Sequence, residues 1–160
     1  MRFTLFPTLV AFAIVACGGE KKSAASQAEA ATPMPADAPA VAPAAEPAGA
    51  VVEVKMTGNG TTLAAFEPNK LSIKAGTTVR FINVSGGPHN VAFYGDSIPK
   101  GAAEALKKGM PNAMGDLMGP FLTQPNEKYD ILFAGAPAGN YRAYCLPHVA
   151  LGMAMTITVQ

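Results

Sequence analysis

NYRAYCLPHVALGMAMTITVQ, residues 140–160, carries two signals in succession. Its second part alternates, with Met153, Met155, Ile157 and Val159 on one side and Ala154, Thr156, Thr158 and Gln160 on the other. That period of two marks a half-buried strand of an antiparallel sheet. Its first part, NYRAYC, reads as another strand and ends on Cys145. The short connection between the two places Cys145, His148 and Met153 in a C-x2-H-x4-M spacing. A cysteine, a histidine and a methionine therefore sit where one strand turns into the next, close enough to face one point.

The same alternation extends upstream. VVEVKM (51–56) sets Val52, Val54 and Met56 against Glu53 and Lys55, and LSIK (71–74) does so with Leu71 and Ile73. Further strands are expected over 77–84, 90–94, 127–134 and 140–145, separated by the turn signals KAGT, VSGGP and GAPAGN. Seven or eight short strands in about 110 residues imply an all-β Greek-key sandwich or flattened barrel. One interruption, GAAEALKKG (101–109), has helix formers between glycines and no β-branching, and reads as a short surface helix. MPNAMGDLMGP follows, with Met110, Met114 and Met118 four apart. Pro111, Gly115 and Gly119 argue against a regular helix there. These methionines either fill irregular gaps in packing or offer thioethers to Cu(I).

Composition divides the 160-residue chain into three parts. Residues 1–16 have one basic residue, Arg2, and then a short uncharged apolar run, the pattern of an export signal. The run is too short for a membrane span, which needs roughly 20 apolar residues. It ends in Ile14-Val15-Ala16-Cys17, which resembles a bacterial lipobox. That resemblance implies lipidation of Cys17 and an extracytoplasmic protein held at a membrane surface; Gly18, rather than Asp, in second place points to an outer membrane where one exists. Residues 18–50 contain 13 alanines and five prolines but no aromatic, Ile or Leu. Such a stretch buries too little apolar surface to order itself and is expected to be a tether, with an upper reach on the order of 100 Å. From residue 51 onward nine Lys and Arg face seven Asp and Glu, without runs. This balance gives no electrostatic case for nucleic acid. With Cys17 lipidated, Cys145 has no disulfide partner within the chain.

Only two histidines exist, His148 and His89, the latter in GGPHN at the start of a predicted strand. Closing a sandwich brings two such strand ends to one pole. Singly, each residue has an ordinary reading: a buried Cys is a small hydrophobe, and a His near a strand end is a satisfied polar group. A redox or hydrolytic Cys/His pair is a further alternative, but no second Cys or third His supports it. Together they supply a thiolate, two imidazoles and a thioether. Trigonal His2Cys with a weak axial Met suits copper, whereas structural zinc prefers four strong N or S donors.

FINVSGGPHNVAFYGDSIP (81–99) and GAPAGNYRAYCLPHVALGMAMTITV (135–159) resemble the two copper-binding segments of the plastocyanins. The resemblance spans most of residues 51–160 and implies a cupredoxin-type Greek-key β-sandwich or barrel of about eight strands, with one short helix. It implies one type 1 (blue) copper held by His89, Cys145, His148 and Met153. At Asn90 it implies an amide that faces the cysteine sulfur and a side chain that ties the two loops together. The implied activity is one-electron transfer between redox proteins rather than catalysis. Plant members flank the tyrosine before the ligand cysteine with acidic residues. Here that tyrosine is Tyr144 and Arg142 lies near it, so the photosynthetic partners do not carry over. The lipobox and Ala/Pro tether resemble, in layout only, the membrane-tethered auracyanins.

Around His148, Leu146, Pro147, Val149, Ala150 and Leu151 form an uncharged collar expected to be an exposed contact surface for weak redox encounters. Tyr144, pointing opposite to Cys145, offers either a second route to the sulfur or plain cross-strand packing. Pro147 lacks an N–H and so withholds a hydrogen bond from the sulfur. A copper carrier or storage lipoprotein would use the same donors. Copper nitrite reductases and oxidases need further histidines, which this monomeric domain lacks.

Overall fold

The computed structural model describes residues 49–160; the signal-like segment, Cys17 and nearly all of the Ala/Pro stretch lie outside the described residues. Among the described residues eight strands follow in order: β1 (Val51–Gly58), β2 (Ala64–Glu67), β3 (Lys70–Ile73), β4 (Thr78–Asn83), β5 (Ala92–Phe93), β6 (Lys128–Leu132), β7 (Gly139–Tyr144) and β8 (Ala154–Val159). A single α-helix, α1 (Ala102–Gly109), lies between β5 and β6, and a 3-10 segment, Leu146–Leu151, joins β7 to β8. Two four-stranded sheets result, ordered β2-β1-β4-β6 and β3-β8-β7-β5.

One apolar core joins both sheets. The alternation in β8 transfers directly: Met155, Ile157 and Val159 are buried, and Ala154, Thr156 and Thr158 are only half-buried. Val54 and Met56 in β1, Leu71 and Ile73 in β3, and Val79 and Phe81 in β4 fill the interior in the same way. Phe133, fully buried, stands edge-on to Phe93 and Tyr141, with ring centroids 6.3 Å and 5.5 Å away. Tyr141 in turn donates its hydroxyl to Pro137 O at 2.7 Å, which pins the turn leading into β7.

Three details differ from the sequence reading. Antiparallel pairing does not hold throughout, because β1 pairs with β4, and β3 with β8, in parallel. Period two reports which face is buried and is blind to strand direction. Parallel neighbours need a crossover, and the chain supplies one by passing through β3 in the other sheet before returning as β4. The second difference is β2, which the alternation does not reveal because it buries only Ala64 and Phe66. Third, the strand expected over 90–94 shortens to Ala92–Phe93. Asn90 leaves the ladder because its amide turns toward the Cys145 sulfur, 3.5 Å away.

The helix buries Ala102, Leu106 and Gly109 and turns its charged residues outward. The stretch after it is irregular, with positive φ at Asn112 and Leu117. Met110 belongs to the core while Met114 is exposed, so the three methionines do not share one environment.

Phe133→Ala removes a ring with packed neighbours on two sides and is expected to lower the unfolding free energy by about 3–5 kcal/mol in denaturant titrations. Leu132→Ser, one residue away on the exposed side, should change it by no more than about 0.5 kcal/mol.

Candidate metal centre

Tyr141, Ala143 and Cys145 are all buried, continuing the inward side of β7, so the last of them delivers its sulfur into the interior at one end of the sandwich. Backbone bonds then close the following loop. Cys145 N donates to Met153 O at 3.1 Å, Met153 N to His148 O at 3.2 Å, and His148 N to Cys145 O at 3.2 Å. Gly152 completes the turn at φ 79, donating to Val149 O at 3.0 Å. Cys145, His148 and Met153 are thus fixed to one another by main chain before any ligand is considered. Cys145 and Met153 are buried, and His148 is 6 % exposed.

His89 reaches the same point from the other loop. Its backbone exchanges two hydrogen bonds with Leu122, N to O at 3.1 Å and O from N at 2.8 Å. Its Nε2 lies 2.9 Å from Ser85 O. A carbonyl oxygen can only accept, so Nε2 carries the proton and Nδ1 keeps its lone pair. Nδ1 is the atom that faces Cys145 Sγ, at 3.6 Å, and His148 Nδ1 faces the same sulfur at 3.5 Å. One donor atom from each of the three residues falls within a 4.8 Å group.

Asn90 ties the two loops together. Its N–H points at Cys145 Sγ, and its Oδ1 accepts from Leu146 N at 2.8 Å. Burial pushes the Cys145 thiol up, while the Asn90 and His148 backbone amides pull it down. A buried thiol raised in this way would stay protonated on its own; a bound cation supplies the charge that favours thiolate. Burial pushes His148 down, which favours its neutral imidazole.

The donors fit a soft transition metal. Donors that each sit roughly 2.0–2.3 Å from one ion lie about 3.5 Å from each other, and the Cys145 sulfur lies 3.6 Å and 3.5 Å from the two imidazole nitrogens. Two imidazoles and a sulfur are donors that suit copper, and Met153 is buried and tied to Cys145 and His148 through the backbone. An eight-stranded sandwich with such a cluster at one pole has the build of a cupredoxin.

Residues 52–160 match the family described as copper binding proteins, plastocyanin/azurin family. Plastocyanin of Scenedesmus fuscus is 41% identical over 110 residues, covering 68% of this chain and 99% of that protein. Plastocyanin of Nostoc punctiforme (strain ATCC 29133 / PCC 73102) is 39% identical over 109 residues, covering 68% and 73%. The solved oxidized plastocyanin of Dryopteris crassirhizoma superposes with a TM-score of 0.51 at 26% identity, over 68% of this chain and all of that one. The chain belongs to the plastocyanin/azurin family of copper-binding proteins.

The structure draws His89, Cys145 and His148 together and sets Met153 next to Cys145 through the backbone. Leu146, Val149 and Leu151 lie outside the cluster and are 42%, 45% and 39% exposed. Tyr144 is half-buried and its ring lies 4.3 Å from that of Tyr94, centroid to centroid, while the Arg142 guanidinium lies 5.4 Å from the Tyr94 ring. Sequence reasoning does not pick out Tyr94, Leu122 or the Ser85 carbonyl. The last two act through main chain, which residue type does not advertise; only the turn signal VSGGP hints at Ser85.

The depressed His148 value has a consequence for the metal-free protein. The unfolded chain takes up a proton near the ordinary value of about 6.5, and the folded chain does so only at lower pH. His148 therefore contributes stability that is present above that value and is lost as pH falls through the folded one. Metal-free protein is expected to lose stability as pH falls below about 6.5 in denaturant titrations, and His148→Gln to show a shallower decline.

Proposed function

We propose that this protein is a one-electron carrier whose type 1 copper is held by His89, Cys145, His148 and Met153. The observation that carries this reading is the convergence of two oriented imidazole nitrogens on one buried sulfur, with no further histidine left for a second, catalytic ion. Bound copper supplies a couple between its +1 and +2 states. The chain's own part is to hold the donors still, so that little rearrangement accompanies the change of charge. Main-chain bonds do this for Cys145, His148 and Met153, the Ser85 carbonyl does it for His89, and Asn90 holds one loop against the other. Burial keeps water from the sulfur and from His89.

Electrons enter and leave where the cover is thinnest. His148 is the slightly exposed donor, and Leu146, Pro147, Val149, Ala150 and Leu151 surround it as an exposed, uncharged surface. Such a surface favours brief contacts with redox proteins over tight complexes. Tyr144, adjacent to Cys145 and paired with Tyr94, offers a second approach. The reading further includes an export signal over residues 1–16, lipidation at Cys17, and the Ala/Pro-rich residues as the spacer to a monomeric domain. This would place the carrier on the extracytoplasmic side of a membrane, anchored by lipid. Among the described residues no helix is long and apolar enough to cross a membrane.

Two measurements bear on the mechanism. With Pro147→Ala, the new N–H is expected to stabilise the more electron-rich sulfur of the reduced state and raise the reduction potential. One hydrogen bond of about 1 kcal/mol corresponds to a shift on the order of 40 mV for one electron; voltammetry showing a fall would contradict this role. Leu151→Asp should slow electron exchange with the physiological partner while leaving the visible spectrum of the copper protein unchanged. Equal rates for the two proteins would remove the collar from the mechanism.

A further inference from the structure

His89 owes its orientation to a carbonyl, and that carbonyl is held in place from the opposite side by β1. Val84 N and Ser85 N both reach Met56 O, at 2.9 Å and 3.4 Å, and Gly58 N donates to Ser85 Oγ at 3.3 Å. The next residue, Gly86, adopts φ 74, in the left-handed region. It also lies against the backbone of Gly58. A Cβ built on Gly86 would stand 2.6 Å from both Gly58 Cα and Gly58 O, and closer still to Gly58 C. Gly58 is no freer on its other side, where a Cβ would meet Leu63 O at 2.5 Å as β1 turns into β2.

We infer that Gly58 and Gly86 are positioning residues for His89: their side-chain-free contact seats the Ser85 carbonyl so that it accepts a hydrogen bond from Nε2–H and leaves Nδ1 aimed at Cys145. The chain of contacts runs from the end of β1 through Gly58, Gly86 and Ser85 O to the ring, and no step in it uses a side chain beyond the Ser85 hydroxyl. A methyl at Gly86 pushes against backbone on a strand paired on both sides, which cannot yield as a flexible side chain would. The displaced segment is then the one carrying Ser85 O. With that acceptor moved, nothing selects the Nε2–H tautomer, and the ring is free to present either nitrogen.

Gly60 supplies the control. It also has a positive φ, 77, but a Cβ there meets only Gly86 O at 4.0 Å. Gly60→Ala and Gly86→Ala therefore share the backbone penalty and differ in the collision.

The inference rests on the assignment of His89 as a donor, but its test does not need copper. In the metal-free full chain, nitrogen-15 NMR should show His89 as a single Nε2–H tautomer with a slowly exchanging proton in wild type and in Gly60→Ala. Gly86→Ala should show mixed tautomers and exchange faster by roughly ten-fold, the loss of about one hydrogen bond. Should Gly86→Ala fail to fold by near-ultraviolet circular dichroism, Ser85→Ala, which removes only the hydroxyl that accepts from Gly58, should accelerate exchange in the same direction. A wild-type tautomer and wild-type exchange rate in Gly86→Ala, or in Ser85→Ala where that variant is the one tested, overturn the inference. On Cu(II) loading, Gly86→Ala should alter the electron paramagnetic resonance spectrum and Gly60→Ala should keep it. Absence of a thiolate–copper spectrum in wild type would refute the copper-donor assignment while leaving the tautomer result to judge the glycine contact by itself.

Discussion

The architecture at the pole of this sandwich depends on keeping one sulfur dry and still while side chains from two loops face it. Burial alone would hold Cys145 as a protonated thiol, since desolvation disfavours the charged form. What offsets that cost is arranged in advance. The amide of Asn90 gives up a place in the β ladder to point at the sulfur, and the backbone amide of His148 adds a second pull toward the thiolate. Most of the ordering entropy is therefore met by the fold, through strands that must pair in any case. The donors need little further organisation when an ion arrives.

The two loops are secured differently. The Cys145–Met153 loop is short and closes on itself, so its three candidate donors are fixed by local hydrogen bonds. His89 lies far away in sequence and depends on longer-range contacts, with Leu122 on one side and the β1–β4 region on the other. Replacing the end of β1 would therefore disturb His89 more than it disturbs Cys145. The parallel pairing of β1 with β4 sets this dependence, because it carries the end of β1 alongside the segment that leads to His89.

Much of this arrangement is legible in the sequence. Alternating residues such as Met155, Ile157 and Val159 located the buried faces, because burial on one side leaves a pattern of period two. Cys145, His148 and Met153 were conspicuous because donor types so scarce in the chain fall within nine residues. Strand direction was not legible, since the same alternation serves parallel and antiparallel neighbours. Nor were β2, with two inward residues, or the Ser85 and Leu122 carbonyls, whose contribution is main chain and independent of side-chain identity. The pairing of Tyr94 with Tyr144 needed the fold, because β5 and β7 are distant in sequence and meet only as neighbours in one sheet.

Outside the site, the Arg142 guanidinium stands over the Tyr94 ring, and the loop around His148 carries no charged side chain. The proposed contacts with redox partners rest on those surfaces, while the proposed electron carriage rests on the buried donors. The most direct test is titration of the metal-free protein with Cu(II), followed by its visible spectrum. One equivalent per chain should produce an intense blue thiolate–copper charge-transfer band that is missing from Cys145→Ser, whereas a colourless wild-type protein, or a Cys145→Ser variant that keeps the band, would contradict the account.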